Sequence, residues 1–306
     1  MKYGIKAYLL HDIGNRSNQE DAHYPSFNDK RHFDKVERKE AFYDGVPHTE
    51  NSLFILCDGM GGHERGEVAS HLVCEVMGGY LSDAEKEGSP FCEALVHKAV
   101  SKAMDALDTL DDPAEVRKMG TTMTLLKLHE GGALIAHIGD SRVYHIRPAN
   151  GRRNAKILFR TEDHSLANMM LHSGRLTHQQ VQNFPQRHVL VKAMSAGLKV
   201  HPTADIHKTT DIMPGDIFFL CSDGILEELY DEDLTAILTN PDYTDEERVQ
   251  IMLTFCKDNK DNHTAWIVRV EIAEKNDGRT EGFMQHENVK KEGLLNKIKS
   301  FFVSEK

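Results

Sequence analysis

The sequence SLFILCDG at residues 52–59 is the stretch on which the fold prediction depends. Its apolar run is short, rich in aromatic and branched side chains, and ends in the turn formers Asp58 and Gly59, so it predicts a β-strand. Three other runs have the same character. They are ALIAHI at 133–138 before Gly-Asp, IFFLC at 217–221 before Ser-Asp-Gly, and AWIVRV at 265–270 shortly after Asp-Asn.

Each of these four strands has an aspartate at one end. A single aspartate beside a glycine is usually only a turn former. In an antiparallel sheet, however, the end of one strand lies beside the start of its neighbour. Asp58, Asp140 and Asp223 follow strands and Asp261 precedes one, so the four side chains can meet at one edge.

The segments between the strands have helical periodicity. Apolar residues recur at helical spacing over 64–80 and 91–107. The strands at 121–128 and 133–138 are separated by His-Glu-Gly-Gly, which predicts a hairpin and antiparallel pairing. The pattern predicts a mixed α/β protein.

Composition limits the possible partners and compartments. The 306 residues carry a formal net charge of −11, which disfavours a nucleic-acid partner because phosphate binding requires clustered cations. No apolar run approaches the roughly 18–20 residues of a transmembrane segment, and no secretory leader is recognisable. Five cysteines, odd in number and without C-x-x-C, fit neither a disulfide framework nor a zinc site. We therefore expect a cytoplasmic protein, and a monomer.

The composition also changes along the chain. We expect residues 1–273 to form one folded unit and the mostly polar residues 274–306 to form a separate tail. Apolar residues 294, 295, 298, 301 and 302 predict a short amphipathic helix flanked by lysines. Packing on the folded unit and docking of a partner are favoured over contact with an anionic membrane, because one short helix is a marginal anchor.

Crowded aspartates indicate a particular chemistry. Carboxylates gathered at one edge must take up protons or bind cations, and oxygen ligands favour magnesium or manganese. Two such ions, roughly 3.5–4 Å apart, can hold a water molecule and direct it at phosphorus. Arg16, five residues before Asp21, can bind two phosphate oxygens, although a weak surface salt bridge is the alternative. Hydrolysis of a phosphate ester is therefore suggested.

Other phosphate-processing motifs are missing from the sequence. None of the five cysteines has an arginine six positions later, as the cysteine-dependent phosphatases require. A P-loop, a G-D-x-H-G motif and an H-E-x-x-H motif are also absent. The sequence therefore matches none of these competing chemistries.

Seven segments, in order, resemble the metal-dependent PPM (phosphatase 2C) protein serine/threonine phosphatases of bacteria. They are RSNQED at 16–21, DGMGGH at 58–63, GTT at 120–122, HIGDSRVY at 137–144, DHSL at 163–166, CSDG at 221–224 and DNHT at 261–264. The resemblance covers about residues 5–270. It implies a four-layer α/β/β/α sandwich, in which two antiparallel sheets lie between pairs of helices.

The resemblance also implies ligands for two Mg or Mn ions. Asp58 would bridge both ions, and the carbonyl of Gly59 would bind one of them. Asp223 and Asp261 would ligate one ion, and Asp21 the other. A third, weaker ion would lie between Asp140 and Asp223.

The remaining roles implied by the resemblance concern the substrate. Glu20 would lie near Asp21 and support the metal site without binding an ion directly. Arg16 would hold the substrate phosphate. The reaction would be hydrolysis of phosphoserine and phosphothreonine in proteins by a water bridging the two ions. The implied partners are phosphoprotein substrates and a cognate Ser/Thr kinase.

Two positions depart from the wider family pattern. Met60 stands where many animal members have a histidine, proposed as the general acid, so the acid here is open among His63, a metal-bound water and the weaker candidate His164. Lys192 replaces an arginine in the segment at 163–200, which resembles a mobile flap; a simple loop–helix insertion is the alternative. Two functional alternatives are a pseudophosphatase that binds phosphoproteins and a hydrolase of small phosphorylated metabolites.

Overall fold

The computed structural model describes residues 4–25, 38–43, 52–60, 64–111, 118–129, 131–150 and 154–271. The predicted tail at 274–306 lies outside these residues. Within them, the strands are β1 (Gly4–Asp12), β2 (Asp21–Tyr24), β3 (Arg38–Tyr43), β4 (Leu53–Met60), β5 (Gly120–Thr121), β6 (Met123–His129), β7 (Gly132–Ile138), β8 (Arg142–Arg147), β9 (Lys156–Arg160), β10 (Met194–Ser195), β11 (Asp205–Thr209), β12 (Ile217–Cys221) and β13 (His263–Glu271). The helices are α1 (Glu64–Lys86), α2 (Glu93–Thr109), α3 (Leu166–His172), α4 (His178–Gln182), α5 (Asp223–Leu226), α6 (Asp231–Thr239) and α7 (Asp245–Cys256).

The strands form two antiparallel sheets that pack face to face. The first has the order β10-β5-β4-β6-β7-β11, with β2 paired to β4, and the second has the order β3-β1-β13-β12-β8-β9. Helices α1 and α2 cover the outer face of the first sheet, and α5, α6 and α7 cover that of the second. The protein is therefore the expected four-layer α/β/β/α sandwich.

The alternating direction of side chains along each strand explains why these runs are apolar throughout. In β4, Leu53 and Ile55 face helices α1 and α2, whereas Phe54 and Leu56 lie between the two sheets. Side chains of successive residues point to opposite faces, so a strand covered on both sides must be apolar at every position. Trp266 of β13 fills the space between the sheets, with its ring centroid 5.2 Å from that of Phe54.

Several observed boundaries differ from the predicted ones, and the largest differences are at the ends of β4 and α1. Strand β4 continues through Asp58 to Met60, because Gly59 and Met60 pair with β5 after the partner β6 has ended. Helix α1 extends beyond residue 80 to Lys86. A glycine inside it, Gly78, lies against the ring of Tyr24, where a β-carbon would come within 2.3 Å of the ring. The hairpin between β6 and β7 is confirmed.

Candidate metal centre

The predicted aspartates come together at one end of the two sheets. Asp21 of β2 is directly opposite Asp58 of β4. Strands β12 and β13 are antiparallel neighbours, so Asp223 after β12 and Asp261 before β13 also lie at a common end. The carboxylate of Asp58 interacts electrostatically with those of Asp21, Asp223, Asp140 and Asp261. The two sheets thus contribute to a single acidic cluster.

Asp21 is the most deeply buried member of the cluster, with 1% of its surface exposed. One carboxylate oxygen, Oδ2, accepts a hydrogen bond from the Ser222 hydroxyl at 2.8 Å. The other, Oδ1, has no hydrogen-bond partner among the described residues. Burying a carboxylate oxygen without a hydrogen-bond donor costs free energy, because its hydrogen bonds to water are lost and no others replace them. A divalent cation would satisfy it.

The pKa values also reflect this crowding. Burial raises the pKa of Asp58 well above its usual range, and the charges of Asp21 and Asp223 add to the effect. Burial likewise raises the pKa of Asp21 to about 7, although hydrogen bonds to it act in the opposite direction. For Asp140, burial and the charge of Asp223 raise the pKa in the same way. Carboxylates in this state bind either protons or cations.

Asp223 differs from its neighbours. Burial acts to raise its pKa, but hydrogen bonds from His188 and Asp58 outweigh that effect, and the pKa is lowered. The pKa values of these two neighbouring carboxylates are thus shifted in opposite directions, that of Asp58 upward and that of Asp223 downward. The Nδ1 atom of His188 lies 3.5 Å from Asp223 Oδ2.

The donor set suits hard cations. The cluster consists of carboxylates, and oxygen ligation favours magnesium or manganese over zinc or copper. Within the described part of the chain, no three acidic, imidazole or thiol side chains are drawn together tightly enough to enclose an ion as they stand. The fit rests on the unsatisfied Asp21 oxygen and on the mutual repulsion of the carboxylates, both of which a cation would relieve.

The backbone of Asp58 is fixed by side chains to which the sequence assigned no role. Its N–H donates to Thr122 Oγ1 at 3.0 Å, and its carbonyl accepts from the Thr121 hydroxyl at 2.8 Å. The next residue, Gly59, donates its N–H to the Glu20 carbonyl at 3.0 Å. A β-carbon at Gly59 would lie 2.2 Å from the Gly66 carbonyl, so only glycine fits this approach.

The loop carrying Arg16 is held by Asn262 at the start of β13. The Asn262 amide donates to the carbonyls of Ile13 at 2.8 Å and Asn18 at 3.0 Å, and accepts from the Glu20 N–H at 2.8 Å. Arg16 itself is half exposed and donates to Asp261 Oδ2 at 2.9 Å. Its guanidinium therefore borders the acidic cluster and faces solvent.

Of the two histidine candidates for the general acid, the structure describes only His164. His63 lies outside the described residues. Both ring nitrogens of His164 are engaged elsewhere, because Nδ1 accepts from the Gly139 N–H at 3.0 Å and Nε2 lies 3.1 Å from Asp205 Oδ2. His164 is thus not available as a proton donor at the cluster.

A cavity of about 400 Å³ adjoins the acidic cluster at Asp140 and Asp223. One wall is the segment at 163–200, which contains helices α3 and α4, and the other is formed by α5 and the start of α6. Arg142 and Arg160 line it, paired with Asp163 and Asp231, respectively.

Asp21 predicts a pH dependence of stability in the metal-free protein. Its folded pKa of about 7 exceeds the ordinary value of about 4, so between these values the unfolded chain has lost a proton that the folded protein retains. The contribution of Asp21 to the free energy of unfolding therefore falls as the pH rises from about 4 to about 7, by up to about 4 kcal/mol. Urea unfolding in EDTA at pH 4.5 and 7.5 measures this fall.

The Asp21→Asn variant should show a smaller fall than the wild type over the same interval. Asp258→Asn, at a side chain that is 89% exposed, is the matched control and should behave as the wild type does. An equal fall in Asp21→Asn and wild type would show that Asp21 does not carry the effect.

Comparison with known proteins identifies the family. The family model described as protein phosphatase 2C matches residues 40–254. The serine/threonine protein phosphatase PstP of Mycobacterium tuberculosis is 30% identical over 230 residues, which are 75% of this chain and 42% of PstP. The chain thus spans less than half the length of that relative.

Solved structures agree with this result. The crystal structure of the M. tuberculosis phosphatase PstP covers 88% of this chain and all of its own, with a TM-score of 0.67 and 26% identity. A structure of the PstP catalytic domain in complex with two manganese ions covers the same shares, with a TM-score of 0.65 and 25% identity. The present chain belongs to the protein phosphatase 2C family.

Proposed function

We propose that this protein hydrolyses phosphoserine and phosphothreonine in proteins with the help of two magnesium or manganese ions. The observation that carries the proposal is the cluster of five aspartates at one end of the sheets, with Arg16 at its solvent side. Family membership and the two manganese ions of the PstP structure support it. No helix of the described residues is long and apolar enough to cross a membrane.

In this proposal Asp58 would help to hold both ions, and the Gly59 carbonyl, Asp21, Asp223 and Asp261 would provide the other ligands from the protein. When bound, the ions would lower the pKa of a water molecule and direct it at phosphorus. Asp140 would hold a third, weaker ion together with Asp223, and Glu20 would support the Asp21 side of the site.

The side chains of the protein perform the remaining tasks. The Arg16 guanidinium binds two phosphate oxygens, an interaction for which its planar fork is suited. Asn262 fixes the loop on which Arg16 stands, and Thr121 and Thr122 fix Asp58. His63 stays a candidate for protonating the leaving oxygen.

The finer parts of the proposal concern the cellular setting. We expect a cytoplasmic monomer whose substrates are phosphorylated by a Ser/Thr kinase that it opposes. Residues 1–273 would form the phosphatase domain, with the segment at 163–200 as a flap over the site. Residues 274–306 would be a separate tail ending in a basic amphipathic helix.

Phosphate release from a phosphothreonine peptide tests the activity. With millimolar manganese we expect turnover in the ordinary enzyme range of about 1–1,000 per second, and with excess EDTA almost none. A phosphotyrosine peptide and a small phosphorylated sugar are run alongside to define the substrate class. Activity that persists in EDTA would contradict the proposal, and activity confined to the small ester would contradict the protein substrate.

A further inference from the structure

Three consecutive residues, Asp163, His164 and Ser165, connect the flap to the turn that carries Asp140. Asp163 accepts two hydrogen bonds of 2.7 Å from the Arg142 guanidinium, two residues beyond Asp140. Ser165 caps helix α3, accepting from the Asn168 N–H at 3.2 Å. Between them, His164 contacts the turn itself.

His164 and Gly139 form a reciprocal pair. The Gly139 N–H donates to His164 Nδ1 at 3.0 Å, and the His164 N–H donates to the Gly139 carbonyl at 2.9 Å. Gly139 has a φ of +109°, and a β-carbon there would lie 2.6 Å from the Thr122 side chain. The turn is therefore a glycine-dependent conformation whose two main-chain groups are both bonded to His164.

These contacts fix the tautomer of the imidazole. A main-chain N–H can only donate, so Nδ1 of His164 must be the unprotonated nitrogen. Nε2 then carries the hydrogen and donates it to Asp205 Oδ2 at 3.1 Å. The ring is stacked on that of His137, with 4.5 Å between the centroids.

Asp205 extends the connection to the other end of the flap. Its Oδ1 atom lies 2.5 Å from Lys192 Nζ. The main chain closes the base of the flap as well, because the Val191 N–H donates to the His164 carbonyl at 2.8 Å and the Leu166 N–H to the Val189 carbonyl at 2.7 Å. His164 is thus the point where both flap ends meet the Gly139 turn.

We propose that His164 is a positioning residue that holds the Gly139–Asp140 turn and couples its conformation to the base of the flap. Asp140 is 8% exposed and lies beside Asp223, so a change in the turn displaces a carboxylate of the acidic cluster. Any effect of this coupling on catalysis rests on the proposed function, whereas the contacts of His164 with the turn and the flap do not depend on it.

Two substitutions test the contacts of the two ring nitrogens of His164 separately. His164→Asn keeps an acceptor where Nδ1 stands but cannot reach Asp205. His164→Gln places an amide donor where Nε2 stands and leaves the Gly139 N–H without a partner. Hydrogen–deuterium exchange of the Gly139 amide, in metal-free protein, is the direct readout.

We expect exchange at Gly139 to be about five- to tenfold faster in His164→Gln, since one neutral hydrogen bond is lost, and within twofold of wild type in His164→Asn. His129→Gln is the matched control, because His129 Nδ1 accepts from the Gly131 N–H at the same 3.0 Å in the β6–β7 hairpin. It should change exchange at Gly131 and leave Gly139 unchanged. Equal effects of the two His164 variants, or no effect of His164→Gln, would overturn the inference.

A manganese titration by calorimetry provides a second readout. If His164 only stabilised the fold, both variants would weaken manganese binding to the same extent. The weakest binding phase, identified as the one lost in Asp140→Asn, should weaken about fivefold in His164→Gln and be restored in His164→Asn. Weakening to the same extent in both variants would contradict a role for Nδ1. Should His164→Gln fail to fold, His164→Leu replaces it as a variant without an acceptor for the Gly139 N–H, and Gly139 exchange within twofold of wild type there would contradict the positioning role.

The outcomes for the two proposals are distinguishable. Exchange at Gly139 is measured without metal or substrate, so its result stands whether or not the wild type hydrolyses a phosphopeptide. A wild type without phosphatase activity would contradict the proposed function, and unchanged exchange in His164→Gln would contradict the positioning role.

Discussion

Asp58→Asn is expected to lower kcat/KM for a phosphothreonine peptide by at least about 1,000-fold. Asp58 interacts with the four other aspartates of the cluster, so removing its charge weakens the binding of every cation placed between them. An asparagine is nearly the same size, and the main chain at this position is held by Thr121 and Thr122. The loss should therefore be one of chemistry and not of folding.

Two measurements accompany the activity of Asp58→Asn. Calorimetry should show manganese binding weakened by at least about 100-fold, because the carboxylate proposed to be shared by both ions has been neutralised. In EDTA the variant should melt at a higher temperature than the wild type, since repulsion within the cluster has been relieved. Asp258→Asn is the control and should match the wild type in all three. Activity within tenfold of the wild type would exclude Asp58 as a shared metal ligand.

Arg16→Ala has the second largest expected effect, a fall of about 100-fold in kcat/KM. An arginine that binds phosphate through two charge-assisted hydrogen bonds contributes about 3 kcal/mol or more, whereas an exposed salt bridge contributes less than about 1 kcal/mol. The Arg16 side chain is 48% exposed and has only Asp261 as an ion-pair partner among the described residues. Its loss should scarcely affect stability.

Arg16→Lys and a manganese titration identify the cause of that fall. Lysine restores the charge but not the planar fork, so it should recover about one tenth of the wild-type activity. Manganese should bind Arg16→Ala as tightly as the wild type or more tightly, because a cation beside Asp261 has been removed. Arg175→Ala, at an exposed position of the segment at 163–200, is the matched control. A loss of less than threefold in Arg16→Ala would favour the salt-bridge interpretation.

The alternation of apolar and turn-forming residues was sufficient to predict the strands β4, β6, β7, β12 and β13 and the two longest helices, α1 and α2. Strand β12 begins and ends where the IFFLC run does, and the hairpin at residues 129–132 was predicted from its two glycines. These predictions succeeded because they depend on local propensities and on burial of both faces of a strand. The end of β4 was missed because it depends on a change of partner strand, which no local pattern records.

The contacts that shape the site could not be predicted in the same way. Nothing near Thr122 or Asn262 in the sequence indicates that the first holds Asp58 or that the second holds the loop of Arg16. The partners of Asn262 are separated from it by more than 240 residues. Hydrogen bonds between distant segments depend on the strand order, and a single sequence carries no direct signal of that order.

The sequence by itself determined the carboxylates, their positions near strand ends, and the hard-cation chemistry that oxygen ligands imply. Only the tertiary structure decided that Asp21 has one bonded and one unsatisfied oxygen, that the pKa of Asp58 is raised while that of Asp223 is lowered, and that His164 is turned toward Gly139. The reason is physical. Residue identity fixes which groups can ionise or bind, whereas burial, neighbouring charges and hydrogen-bond direction arise only when distant strands pack together.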